Sequence, residues 1–143
     1  MQEQLHRNEE WVKFDPQNIT GTFYACYTEI TKEEDAMKFT VICEKHIIEI
    51  LFYGLTPIYM WSDEGMRMAT YMPIQEEKHD KKYFQKWFLY KVYNSDFMSW
   101  ALKESCGFYQ ENELLHFCII TENDVVDILS TTEPEIVIRK VNE

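Results

Sequence analysis

The sequence predicts an α+β fold, a mainly antiparallel, twisted sheet of about six to eight strands with one or two short helices packed on it. Three observations carry this expectation. Runs rich in β-branched and aromatic residues recur along the chain, short polar turns separate most of them, and the helix signals gather late. With 143 residues, 45% of them apolar, and only four Gly and four Pro, the chain predicts a single domain over 1–143 with one core.

Residues 1–14 set Leu5, Trp11, Val12 and Phe14 in a polar background, which predicts an arm or short helix closing on the core. Asp15-Pro16-Gln17-Asn18 is a turn signal. Strands are predicted at 22–30 (TFYACYTEI), 38–43 (KFTVIC) and 47–53 (IIEILFY), the last two joined as a hairpin by Glu44-Lys45-His46. Gly54 and Pro57 end the third strand, IYMW at 58–61 predicts a fourth, and Ser62-Asp63-Glu64-Gly65 a turn. The most charged stretch, 75–82 (QEEKHDKK), predicts an exposed loop before another strand that starts at Trp87.

A helix is predicted over 95–106. Ser95 suits its N-cap, Asp96 and Lys103 match the helix dipole, Gly107 suits C′, and Phe97, Trp100, Ala101 and Leu102 supply an apolar stripe. LLHFCII from Leu114 is apolar on both alternating faces, the mark of a central strand covered on both sides. Thr121 with Asp124 forms a capping-box-like start, and Val125, Ile128 and Leu129 follow at helical spacing, predicting a second helix over 122–130, with a strand as the alternative that the β-branched content allows. After Glu133-Pro134, the alternation from Ile136 to Val141 predicts a terminal strand.

Charge bounds the function. The chain carries 14 basic and 25 acidic residues, a net charge of −11, together with nine Tyr, nine Phe and four Trp. Such a surface repels polyanions and attracts basic partners. Nucleic-acid binding is disfavoured, since the densest basic cluster, Lys78, Lys81 and Lys82, is interleaved with Glu76, Glu77 and Asp80. No glycine-rich phosphate loop, H-E-x-x-H, G-x-S-x-G or C-x-x-C run occurs, so the sequence points to no enzyme activity and no cofactor. The stretch 47–61 is broken by Glu49, Gly54 and Pro57, which predicts no membrane crossing. The N-terminus lacks the apolar core of a signal peptide. A cytoplasmic location follows as an expectation, with Cys26, Cys43, Cys106 and Cys118 as reduced thiols and the Asn18-Ile19-Thr20 sequon unmodified.

Cys43, His46, His116 and Cys118 are the residues that could form a tetrahedral zinc site. Their spacing is not that of a finger and one pair sits in an apolar strand, so the expectation is buried thiols, a hydrogen-bonded His and no metal. Cys106 lies at a helix C-terminus, which raises a thiol pKa and makes it a poor nucleophile. The acidic groups Glu33-Glu34-Asp35, Glu76-Glu77, Glu111 with Glu113, and Glu122 with Asp124 and Asp127 are expected to be solvated. Tyr59, Trp61, Tyr71, Tyr83, Phe84, Trp87, Tyr90, Tyr93 and Tyr109 exceed what a helix-on-sheet core needs, whereas Trp100 and Phe117 are expected inside it. Exposed rings beside acidic loops would form a docking patch. The candidate partner-binding residues are therefore Glu76, Glu77, Asp80, Tyr109, Glu111 and Glu113.

The segment 87–139, with Asn94-Ser95, Trp100, Leu115-His116-Phe117 and Thr121-Glu122-Asn123-Asp124, resembles small bacterial proteins. The acidic, motif-free α+β chain as a whole is similar to the immunity proteins that neutralise bacterial nuclease toxins. That resemblance implies a cytosolic inhibitor that binds a basic toxin domain and blocks its active site or an exosite, with carboxylates where the nuclease would hold phosphate. It transfers no individual residue. Two other readings stand beside it: a small-molecule-binding or enzymatic domain with a pocket on the sheet that uses His116, and a structural homodimer that buries the surplus rings.

Overall fold

The computed structural model describes residues 8–19 and 21–141. Its strands are β1 (Glu10–Lys13), β2 (Ala25–Lys32), β3 (Met37–Cys43), β4 (His46–Phe52), β5 (Ile58–Asp63), β6 (Leu89–Tyr93), β7 (Leu115–Ile120), β8 (Asp124–Ser130) and β9 (Glu135–Lys140). The helices are α1 (Met68–Glu77) and α2 (Asp96–Glu104). The fold class is α+β, as expected. The strands, however, divide between two antiparallel sheets, ordered β1-β6-β7-β8-β5 and β2-β3-β4-β9, where the sequence predicted one.

The two sheets stack face to face. Phe39, Val41, Ile48, Ile50 and Phe52 alternate onto the inner face of the four-stranded sheet and share one core with Phe117, Ile119, Val126 and Ile128 of the other. Phe52 meets Phe117 with ring centroids 5.6 Å apart, and Phe39 meets Tyr59 at 5.7 Å. The remaining face of the four-stranded sheet meets solvent with Lys38 paired to Glu33 and Glu49. The five-stranded sheet is covered twice: Ala101, Leu114 and Leu129 form a second cluster under α2, while Tyr71 and Ile74 of α1 pack on the main core.

That double cover explains both the success at β7 and the failure at β8. β7 is central and buried on both faces, so its continuous apolar run reads correctly. All seven residues of β8 are buried too, and the predicted helix over 122–130 is this strand. The Thr121–Asp124 bonds do form: the Asp124 N–H donates to Thr121 Oγ1 at 3.0 Å, and the Thr121 hydroxyl donates to Asp124 Oδ1 at 2.6 Å. They close the β7–β8 turn instead of opening a helix, because Val125, Val126 and Ile128 fit a pleated, doubly buried position.

Other elements correct the expectations as well. Of the predicted arm or helix over 1–14, residues 1–7 lie outside the described residues, and Glu10–Lys13 pairs with β6 as a strand. Helix α1 absorbs part of the expected loop at 75–82; with Arg67 giving no side-chain cap and Pro73 inside the helix, the local signals are weak. In α2 the Ser95 cap, Asp96 and Lys103 are as predicted. Its left-handed exit begins one residue early, with Cys106 at φ 52° before Gly107 at φ 81°. Trp100 is not core: it is 51% exposed, stacked beside Phe97, because the residues facing the sheet are Phe97, Met98, Ala101 and Leu102.

The link from β4 to β5 carries the chain from one sheet to the other. A Cβ on Gly54 would lie 2.5 Å from Thr131 Oγ1, so only glycine allows this approach. The Leu55 N–H donates to Thr131 Oγ1 at 2.9 Å, and the Thr131 N–H returns a bond to the Leu55 carbonyl at 2.9 Å. This clasp sets β5 along β8 at the sheet edge.

Candidate protein-docking surface

β5 pairs with β8 in unbroken register and occupies the outer position of its sheet. Alternation sends Tyr59, Trp61 and Asp63 toward the side of the other sheet, and Ile58, Met60 and Ser62 toward the helices. Tyr59, Met60 and Trp61 are 42%, 38% and 51% exposed. The chain then makes a single 3-10 turn at Glu64–Met66, capped by the Asp63 carboxylate accepting from the Gly65 N–H, and enters α1. Met66, Met68 and Met72 are exposed along this continuation. Four of the seven Met are thus exposed, with Tyr59 and Trp61, along the segment that runs from β5 into α1.

Two buried carboxylates hold that surface in place. Asp124 accepts the Trp61 indole N–H at 3.0 Å, the Thr28 N–H at 2.9 Å and the Thr28 hydroxyl at 3.1 Å. It therefore ties β2, β8 and the Trp61 ring together. Asp127 lies opposite Met60 and bonds the Arg67 guanidinium, which also reaches Ser62 Oγ at 3.4 Å and Thr70 Oγ1 at 3.2 Å. Burial raises the Asp127 pKa, but the bonds and charges of His116 and Arg67 outweigh it and hold the carboxyl below the usual carboxylate range. Arg67 thereby anchors the start of α1 from within. The Tyr71 hydroxyl donates to Glu64, and burial first, then Glu64, pushes its pKa up to about 12.

The same network continues to α2. His116 Nε2 lies 2.8 Å from Asp127 Oδ1, and its Nδ1 lies 2.6 Å from Ser95 Oγ, which accepts the Met98 N–H at 2.9 Å. Both ring nitrogens of His116 and the Ser95 hydroxyl are thus partnered within this network. Ser, His and Asp stand here in the order of an acyl-transfer relay, beside an open groove of about 1180 Å³ that Ser95 and His116 help line. Yet Ser95 is committed as the cap of α2, and the Asp96 N–H that would meet an oxyanion donates to Glu9 Oε2 at 2.9 Å. Burial, then Asp127, pushes the neighbouring Cys118 thiol well up, which leaves it inert.

The expected site residues fall in two places. Glu76 and Glu77 are exposed at the end of α1, and Asp80 pairs with Lys86, which with the Lys82 N–H holds its carboxyl low. Tyr109 is half-buried against the α2 cluster, Glu113 accepts the Gln110 N–H at 2.9 Å, and Glu111 borders the groove beside Ser95. Gln75 and Lys81, next to the first group, border a different cleft with Ile120 at the far end of β7. The six residues thus make no single surface. Cys43 and His46 belong to the four-stranded sheet while His116 and Cys118 face outward from the other, and no cluster able to hold a metal occurs among the described residues. All four Cys are free thiols. Of the nine singled-out rings, Phe84, Trp87 and Tyr90 are buried, and Tyr59, Trp61 and Tyr93 are exposed. The exposed Met residues were missed; the spacing Met66, Met68, Met72 after an aromatic strand was their signal.

Among the described residues, no helix is long and apolar enough to cross a membrane. Comparison with protein-family models, with curated proteins and with solved structures finds no match to this chain.

Proposed function

We propose that this protein is a non-enzymatic binding module that docks a basic protein, in the manner of an immunity or inhibitor protein covering the active site or an exosite of a nuclease-type toxin. The observation that supports the reading is the exposure of Tyr59, Met60, Trp61, Met66, Met68 and Met72 along the segment from β5 into α1, which also carries Asp63 and Glu64. Aromatic rings supply rigid contact area, Met adapts to the partner's shape, and carboxylates steer a cation toward it. The one Arg in this region, Arg67, is neutralised from inside by Asp127 and does not oppose that steering.

The test is affinity capture from the source cell with the wild-type chain and with a Trp61→Ala/Met68→Ala variant. The expected result is a basic protein that elutes as salt rises and that the variant fails to retain, since roughly tenfold weaker binding corresponds to about 1.4 kcal/mol, well within one aromatic anchor. Capture that ignores both salt and the two substitutions would refute the reading.

A further inference from the structure

We infer that the partner docks by adding an extended cationic strand to the free edge of β5, an inference that rests on the binding-module reading above. Among the described residues, the two sheets have four edge strands, β1, β5, β2 and β9. Sheet edges carry unpaired backbone N–H and C=O groups, and proteins guard them with brevity, charge or bulges. β1 is four residues long, with Glu10 and Lys13 at its ends. β2 has a register shift between Ala25 and Tyr27 and carries Glu29 and Lys32. β9 carries Glu135, Arg139 and Lys140. β5, Ile-Tyr-Met-Trp-Ser-Asp, has none of these devices before its last residue: all six positions pair with β8 without a break.

Side chains on the unguarded edge specify what it accepts. Residues of an added strand alternate between two faces, opposite the alternating residues of β5. One face presents Tyr59, Trp61 and Asp63, two rings and a carboxylate, which favours Lys or Arg through cation–π and ion-pair contact. The other presents Met60 between Ile58, packed under α2, and Ser62, bonded to Arg67, which favours an apolar residue. The occupant is therefore a basic/apolar alternating segment. A second copy of this chain fits less well, since it brings the same net charge of −11 to the contact.

Hydrogen exchange on the full chain tests this, with three synthetic peptides as probes: one alternating arginine with valine, one alternating glutamate with valine, and one with the composition of the first arranged at helical spacing. The alternating cationic peptide should slow exchange of the β5 amides that β8 leaves unpaired by roughly tenfold or more. The other two should not, and Met60→Lys should remove the effect while thermal stability is kept. If the cationic peptide or the captured basic protein binds and β5 exchange does not change, the strand-addition inference falls and the binding-module reading stands. If neither binds, both fall. If the free chain sediments as a dimer with β5 already protected, the occupant is a second copy and the inference is overturned.

Discussion

Helices α1 and α2 cover the same face of one sheet, but they are placed by different forces. α2 announces itself locally: Ser95 caps it, Asp96 and Lys103 match its dipole, and its apolar residues share one face. α1 has no side-chain cap and a proline in its interior, and its start is held by Arg67 on the buried Asp127, sixty residues away in sequence. The contrast teaches that a helix anchored from beneath by a long-range ion pair needs little amphipathic character of its own. Its exposed side is then free to carry Met68 and Met72, part of the proposed binding surface.

Removing the anchor should have the largest effect. Asp127→Asn leaves the Arg67 guanidinium without its buried counter-charge and should cost about 3–5 kcal/mol in urea denaturation, with α1 exchanging first. A loss under about 1 kcal/mol would show that α1 stands without it. The same variant separates the acid behaviour. Despite burial, His116 and Arg67 hold the Asp127 pKa below its ordinary value in the folded chain. Its contribution is therefore complete above the unfolded value of about 3.9 and is lost as pH falls through the lower folded value. Wild type should lose stability more steeply than Asp127→Asn in that acid range.

The local side of the comparison predicts a smaller effect. Ser95→Ala removes the α2 cap, worth about 1 kcal/mol, and strips His116 Nδ1 of its partner, for a total of roughly 2–3 kcal/mol. Equality with Asp127→Asn would erase the distinction between the two helices. Smallest of all should be Trp100→Ala, under about 1 kcal/mol because the ring lies half in solvent, whereas a buried aromatic such as Phe117 cut to Ala costs about 3–5 kcal/mol.

Legibility follows the same division. The β3–β4 hairpin, the central strand β7 and the capped helix α2 could be read because each signal lies within a few residues: an alternating run, a doubly apolar run, a Ser-Asp start. The Thr121–Asp124 pair was recognised as a bonded unit but given the wrong element, since the same bonds serve a tight turn. Trp100 was misplaced because it borders the apolar face of α2, and the sequence does not reveal how wide a face the sheet covers. Of the proposed docking surface, Tyr59 and Trp61 were singled out as rings, whereas Met60, Met66, Met68 and Met72 were not, because exposure is a property of what packs against a residue.

The sequence by itself determined the α+β class, most strand positions, the α2 cap and the net negative charge, because these depend on composition and on contacts between near neighbours. Tertiary structure alone decided the split into two sheets, the strand at β8, the seating of α1 on Asp127 and the choice of β5 as an outer strand. Each of those depends on partners dozens of residues away, whose pairing buries a face or a charge that no short window of sequence contains.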